Sequence, residues 1–119
     1  MPNDEILDAY AKAFEDADPA AVRAFLAPGA VIWHNFDQVD RDIVASLGEL
    51  EQMRERLTDR RFEIVERFAL PDGVGARIVM RGTVRATGAP FASHQARFFR
   101  IRDGKIHRLE EYVAPLPRD

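Results

Sequence analysis

The hydrophobic pattern of the chain changes after Thr58, from a helical repeat to a two-residue repeat. Before Thr58, apolar residues recur every three or four positions, which indicates amphipathic helices. After it, apolar and polar residues alternate through four segments, which indicates β-strands. Turn-forming residues separate these segments at Pro71-Asp72-Gly73, Gly88-Ala89-Pro90 and Asp103-Gly104. Helices followed by an antiparallel meander predict an α+β fold.

Three helices are predicted before Thr58, with one short strand among them. Asn3 is expected to cap the first helix, and Asp18-Pro19 to begin the second, with aspartate as the cap and proline in the first turn. The short strand covers residues 30–35, and Asp37 or Asp40 would cap the third helix. The predicted buried stripe of that helix is Ile43, Val44, Leu47, Leu50, Arg54 and Leu57.

The last hairpin predicts which side chains share a face of the sheet. Asp103-Gly104 suits a two-residue type I′ turn, which places Arg102 opposite Lys105. One face then carries His94, Ala96, Phe98, Arg100, His107, Leu109, Glu111 and Val113, and we assign it to the concave side. The convex side would carry Gln95, Arg97, Phe99, Ile101, Ile106, Arg108, Glu110 and Tyr112, with Arg97 opposite Glu110. Its apolar residues Phe99, Ile101, Ile106 and Tyr112 predict a homodimer through this face.

Composition narrows the classes of protein that the chain can belong to. A length of 119 residues predicts one domain, covering residues 1–119. The net charge of −3 gives no basic footprint for a nucleic-acid partner. The chain has no cysteine, and no apolar run reaches the ~20 residues that a membrane span needs. Because the N-terminus is acidic, unlike a secretory signal, a cytoplasmic protein is the expectation.

Three stretches of the sequence resemble the SnoaL-like proteins. They are Tyr10 to Asp37, the turn Arg102-Asp103-Gly104-Lys105-Ile106, and the closing Glu110-Glu111-Tyr112, so the resemblance covers nearly the whole chain. This group includes ketosteroid isomerase, limonene epoxide hydrolase and nuclear transport factor 2. The resemblance implies a cone-shaped, curved antiparallel sheet packed on N-terminal helices, with a pocket between them. It specifies the fold and not the chemistry, because the fold hosts isomerases, cyclases, hydrolases and non-catalytic proteins.

The string Trp33-His34-Asn35-Phe36-Asp37 holds the single tryptophan and one of three histidines. In a gap-free comparison with ketosteroid isomerase, Tyr10 falls on the oxyanion-hole tyrosine and His34 on the general-base aspartate. Histidine suits that exchange, since it titrates near neutrality and can take a proton. The alternative is structural: Trp33 belongs to the core, Asn35 and Asp37 secure a turn, His34 is a polar lining residue and Tyr10 is part of the helix stripe.

The sequence also departs from both enzymes at positions that correspond to their catalytic residues. The second oxyanion donor of ketosteroid isomerase falls near Ala96 or Arg97, neither of which is an acid, so steroid isomerisation is not expected. For limonene epoxide hydrolase, Asn35, Glu111 and Arg77 match the catalytic pattern. Val79 replaces an acid of that enzyme and Trp33 replaces its tyrosine. A surface ion pair is the alternative role for Glu111.

The sequence gives little indication of a metal site, a nucleotide site or a basic binding surface. The three histidines show no His-x-x-x-His spacing, so no metal is expected, and no phosphate loop indicates a nucleotide cofactor. A basic cluster lies at the end of the third helix, where arginine favours the negative end of the helix dipole, and we interpret it as a solvated face. Its members are Arg54, Arg56, Arg60 and Arg61.

The sequence therefore predicts a cofactor-free enzyme that performs general acid–base chemistry on a small apolar organic molecule. His34 would be the base and Tyr10 the hydrogen-bond donor to a developing oxyanion. The predicted catalytic set is Tyr10, His34, Asn35 and Glu111, and the predicted ligand-binding set is Phe14, Trp33, Asp37, His94, Phe98, Leu109 and Val113. The alternative is a non-catalytic module that binds a ligand or a partner protein in the same pocket.

Overall fold

The computed structural model describes residues 1–114, which form three helices and one six-stranded sheet. In chain order the elements are α1 (Asn3–Glu15), α2 (Pro19–Arg23), β1 (Leu26–His34), β2 (Asp40–Arg41), α3 (Ile43–Arg56), β3 (Leu57–Leu70), β4 (Gly73–Val84), β5 (Pro90–Arg102) and β6 (Lys105–Tyr112). The strand order is β2-β1-β6-β5-β4-β3, and every pair is antiparallel except β1 with β6. The helices pack on this curved, unclosed sheet, which confirms the α+β prediction. None of the helices in this part of the chain is long and apolar enough to cross a membrane.

The helix caps agree with the sequence at one position and differ at two. Asp18 caps α2 as predicted, since its side chain accepts a hydrogen bond from the Ala21 amide at 3.2 Å. The first helix has Pro2 at its cap and no capping side chain, so the prediction for Asn3 is wrong. The cap of α3 is Asp42, which accepts a hydrogen bond from the Ala45 amide at 2.8 Å, and not Asp37 or Asp40.

The predicted stripe of α3 is confirmed at Ile43, Leu47, Leu50 and Leu57 and is wrong at Val44 and Arg54. Leu50 and Met53 are buried, whereas Val44 is 73% exposed and Arg54 lies on the outer side. Met53 takes the buried position that the prediction gave to Arg54. Seven side chains form the most deeply buried part of the core: Ile6, Leu7, Leu57, Ile78, Phe99, Ile106 and Leu109.

The turn of the last hairpin is as predicted, but a β-bulge follows it in β6. Asp103 and Gly104 both have positive φ, +53° and +74°, as a type I′ turn requires, and Arg102 pairs with Lys105. The register then shifts, because Ile101 pairs with Ile106 and Arg100 with Arg108. His107 is therefore the extra residue of the bulge. Beyond it every pair moves by one position, so Arg97 lies opposite Glu111 and not Glu110.

The bulge reverses the predicted faces on β5 and keeps them on the end of β6. Gln95, Arg97 and Phe99 are buried, whereas His94 is exposed on the opposite face. On β6, Leu109 and Glu111 are buried, as predicted for the concave side. The concave assignment is thus wrong for His94, Ala96, Phe98 and Arg100. The convex assignment is wrong for Gln95, Arg97, Phe99, Ile101 and Ile106.

The outer face of the sheet carries a row of aromatic side chains that differs from the predicted dimer surface. Phe99 and Ile106 are fully buried and cannot contribute to an outer surface. Instead, Trp33 packs edge-on against Tyr112, Tyr112 against Phe98, and Phe98 against Phe68, with ring centroids 5.4 to 5.9 Å apart. We call these four residues the outer aromatic strip. Tyr112 is its most exposed member, at 45%.

Candidate active site

A cavity of about 300 Å³ lies between the helices and the inner face of the sheet. All three helices and strands β1, β2, β4, β5 and β6 contribute to its lining, so most of the fold is needed to form the site. Its apolar wall includes Phe14, Val22, Leu47, Leu50, Met53 and Met80. Its deepest polar side chains are Tyr10, His34, Gln95, Arg97 and Glu111, each at most 6% exposed.

Two neighbouring parallel strands bring His34 and Glu111 together. His34 ends β1 and lies in register with Glu111 near the end of β6. His34 Nε2 contacts Glu111 Oε1, and both side chains are buried. Asn35 fixes this end of the strand pair, because its amide donates to the Glu111 carbonyl at 3.0 Å and its Oδ1 accepts from the Val113 amide at 2.7 Å.

Arg97 holds the other oxygen of the same carboxylate. Its Nη1 donates to Glu111 Oε2, while its Nε and Nη2 donate to Gln95 Oε1 at 3.1 and 2.9 Å. The guanidinium also lies over the rings of Phe14 and Phe62, at 4.5 and 4.9 Å from their centroids. Arg97 therefore balances the buried charge of Glu111, and the aromatic rings and Gln95 replace the water that it loses.

Tyr10 presents a protonated hydroxyl to the cavity. Burial raises the pKa of Tyr10 above its ordinary value, and the nearby positive charge of Arg97 offsets part of that effect. The ring packs edge-on against Phe99 at 5.2 Å and stacks on Phe14 at 5.9 Å, which fixes its position on α1. At neutral pH the hydroxyl is therefore a hydrogen-bond donor.

His34 is neutral at neutral pH and keeps one ring nitrogen unpaired. Burial lowers the pKa of His34 to about 4; the charges of Arg41 and Arg97 lower it too, while Glu49 and Asp37 raise it. A neutral imidazole carries one proton, and the Glu111 oxygen at Nε2 places that proton on Nε2. Nδ1 then bears a lone pair. It is buried and has no hydrogen-bond partner in the described part of the chain.

Glu49 is the nearest carboxylate to that nitrogen, but Arg41 holds it. Glu49 Oε2 lies 3.6 Å from His34 Nδ1, while Glu49 Oε1 accepts a hydrogen bond from Arg41 Nε. Arg41 also binds Asp37 through Nη1 and Nη2, and the hydrogen bond from Arg41 is the main cause that lowers the pKa of Asp37. Because Arg41 neutralises both carboxylates, it limits how strongly they favour an imidazolium at His34.

The structure brings together some of the residues selected from the sequence and separates others. Tyr10, Phe14, His34, Glu111 and Val113 line the cavity. Trp33 and Phe98 belong to the outer aromatic strip, and His94 is exposed on that outer side. Leu109 is buried in the core, Asn35 ties the strand ends, and Asp37 pairs with Arg41, so none of these three lines the cavity.

The sequence-based prediction gives no site role to seven polar lining residues: Arg41, Ser46, Glu49, Gln52, Arg56, Gln95 and Arg97. Arg97 and Gln95 were placed on the outer face, because the pattern gives no sign of the bulge that turns them inward. Arg41 lies in a two-residue strand, too short for periodicity to reveal, and Glu49 has the sequence context of an ordinary helix surface residue. Within residues 1–114, no group of three or more histidine, aspartate or glutamate side chains is placed to hold a metal ion.

Comparisons with known proteins identify the same architecture. The sequence profile of the SnoaL-like domain matches residues 7–109. A proposed polyketide cyclase from Xanthomonas campestris is 26% identical, with a TM-score of 0.80 over 92% of this chain and 88% of that one. IdmH, a proposed polyketide cyclase from Streptomyces antibioticus, is 24% identical, with a TM-score of 0.85 over 95% and 92%.

A third similar structure was solved with a small amine. It is a protein with a ketosteroid isomerase-like fold from Catenulispora acidiphila, in complex with trimethylamine. It is 20% identical, and the TM-score is 0.81 over 93% of this chain and 86% of that one. The sequence matches none of the curated proteins.

Proposed function

Because the chain belongs to the SnoaL-like domain family, we propose that it is an enzyme that uses its cavity for general acid–base catalysis on a small, largely apolar organic molecule. The observation that carries this proposal is His34 Nδ1, a buried ring nitrogen that has no hydrogen-bond partner within residues 1–114 and belongs to a residue of the cavity lining. An unsatisfied buried polar atom costs about 1–3 kcal/mol, and active sites are where such costs are retained. A substrate proton is the partner that would satisfy it.

The proposed reaction begins with removal of a proton from a carbon next to a carbonyl group. The C–H bond breaks, the proton goes to His34 Nδ1, and the electron pair moves to the carbonyl oxygen. Glu111 accepts a hydrogen bond from Nε2–H and stabilises the imidazolium that forms. With a pKa of about 4, His34 is in its basic form throughout the neutral range.

Tyr10 is proposed to donate a hydrogen bond to the developing oxyanion. Its hydroxyl stays protonated, and Arg97 next to it adds positive charge in a buried site where electrostatic effects are strong. The proton held on His34 can then return to another atom of the substrate or its leaving group. Isomerisation, elimination and ring closure all follow this pattern, and carbonyl-rich polyketides are the compounds on which two similar proteins are proposed to act.

The open cavity supports a small-molecule site over a module that binds only a partner protein. A module of this fold could fill the space with its own side chains, whereas here about 300 Å³ remain open beside His34. The apolar side chains of the wall support a substrate with a largely apolar body. We also propose that the protein is a homodimer and that the outer aromatic strip forms its interface.

Proton abstraction can be tested before the natural substrate is known. Nitrobenzisoxazole loses a carbon-bound proton to a base, its N–O bond opens, and the phenolate released is measured by absorbance. We expect His34→Gln to reduce the rate at least about 100-fold, as for loss of a general base. The wild-type rate should be level at neutral pH and fall as Nδ1 is protonated near pH 4, the pKa of His34.

The matched control is His94→Gln, which makes the same exchange at an exposed position outside the cavity. It should keep the wild-type rate. Equal rates for wild type and His34→Gln would contradict the proposal and favour the non-catalytic module.

A further inference from the structure

The charged side chains that line the cavity are not balanced. Three arginines and two glutamates contribute to the lining. Arg97 pairs with Glu111, and Arg41 pairs with Glu49. Arg56 makes no ion pair and no side-chain hydrogen bond within residues 1–114, although it lines the cavity and is only half-exposed. The cavity therefore contains one cation more than its own carboxylates neutralise.

Capping of α3 does not account for Arg56. Arg85 Nε donates to the Glu55 carbonyl at 2.9 Å, and the Arg85 amide donates to the Arg56 carbonyl at 2.8 Å. Arg60 Nη1 donates to the Leu57 carbonyl at 2.7 Å. The carbonyl groups at this helix end thus have other donors.

The position of Arg56 on α3 sets its distance from the proposed base. Glu49, whose carboxylate lies 3.6 Å from His34 Nδ1, comes seven residues before Arg56 on the same helix. Seven residues span about 10 Å along a helix axis. Between them α3 contributes the apolar side chains of Leu50 and Met53 to the wall. Along α3 the lining therefore runs from Glu49, next to His34, past Leu50, Gln52 and Met53 to Arg56.

We propose that the ligand of this cavity is a small organic acid whose carboxylate binds Arg56. Its apolar body lies against Leu50 and Met53, and its opposite end reaches His34. Arginine suits this role because its planar guanidinium can bind both oxygens of a carboxylate. The assignment of the reactive end rests on the proposed function, whereas the carboxylate end rests on Arg56 alone.

The test compares acids with their own amides. Phenylacetate, phenylbutyrate and naphthylacetate are each titrated against the corresponding primary amide, with calorimetry for affinity and NMR shifts of α3 amides to locate binding. Wild type should bind at least one acid about fivefold more tightly than its amide. Arg56→Gln should bring that ratio to about one, and Arg56→Lys should keep most of it because the charge remains.

The matched control is Arg54→Gln, an exposed arginine of the same helix that does not line the cavity, which should keep the wild-type ratio. A wild-type ratio near one for every pair would overturn the proposal. A panel in which no acid binds would overturn it as well. An unchanged ratio in Arg56→Gln would overturn it too. His34→Gln separates the two proposals, because it should lose proton abstraction and keep the acid–amide ratio.

Discussion

His34 makes the stability of the protein depend on pH. Its folded-state pKa of about 4 lies below the ordinary value of 6.5, mainly because burial penalises the imidazolium. The unfolded chain therefore binds a proton near pH 6.5, and the folded chain does not bind it until about pH 4. The free energy of unfolding keeps its full value above pH 6.5 and falls as the pH drops toward 4.

We expect His34 to lower the free energy of unfolding by about 2 kcal/mol between pH 7 and pH 5. Urea denaturation at both pH values should show that loss in wild type and in His94→Gln, which removes an exposed histidine. His34→Gln should lack this part of the pH dependence, because glutamine does not titrate. The same pH dependence in His34→Gln as in wild type would show that His34 protonates equally in both states.

The buried pair of Arg97 and Glu111 should be far more sensitive to substitution than an exposed pair. Glu111→Gln removes the countercharge of a guanidinium that is 3% exposed, and we expect a loss of about 3 kcal/mol in the free energy of unfolding. Glu66→Gln is the matched control, because the Glu66–Arg77 pair is more than half exposed on both sides and should change stability by less than about 1 kcal/mol.

A double variant separates the buried charge from the lost contact. Arg97→Met combined with Glu111→Gln removes both charges, so it should lose less stability than the sum of the two single variants. Additive losses in urea denaturation would show that the two side chains stabilise the fold independently.

At the scale of elements, β4 and β5 approach so closely that glycine is required where they meet at the Pro71-Asp72-Gly73 turn. A Cβ added at Gly73 would lie 1.8 Å from the backbone oxygen of Phe99, which belongs to the partner strand β5. A backbone atom cannot move aside as a side chain can. The pairing of β4 with β5, which positions Phe99 and Arg97, depends on this close approach.

Gly73→Ala should therefore destabilise the protein by about 3 kcal/mol, because the strands must separate to admit the methyl group. Gly48→Ala is the matched exchange in α3, where an added Cβ meets nothing within 4 Å. It should instead stabilise by about 0.8 kcal/mol, since alanine favours a helix interior over glycine. Thermal or urea denaturation measures the stability of both variants. If Gly73→Ala were as stable as wild type, β4 and β5 would not be tightly held at this position.

For the whole molecule, the proposed dimer depends on the outer aromatic strip. Light scattering at tens of micromolar should give twice the mass of the chain for wild type, a range in which a specific interface persists. Tyr112→Glu should give the mass of one chain, because it places a charge in the centre of an apolar interface. Val44→Glu, a change at a 73% exposed apolar residue of α3, is the control and should remain a dimer. A monomeric wild type would remove the proposal.

The sequence by itself determined the elements whose signals are local. The apolar stripe of α1 predicts that Tyr10 and Phe14 share a face, and both line the cavity. Asp18-Pro19 specifies the start of α2, and Asp103-Gly104 specifies the last turn. These signals succeed because each depends on the backbone preferences of a few adjacent residues.

Only the tertiary structure decided which side chains of β5 face the cavity. Ile106 donates its amide to the Phe25 carbonyl at 2.8 Å and also pairs with Ile101, so two partners distant in sequence fix its register. Further along, the parallel pairing of His34 with Glu111 fixes the other end of β6. The bulge at His107 reconciles the two ends, and it turns Arg97 inward. Since a one-residue shift exchanges the faces of a strand, long-range pairing and not the local pattern placed Arg97 beside Glu111.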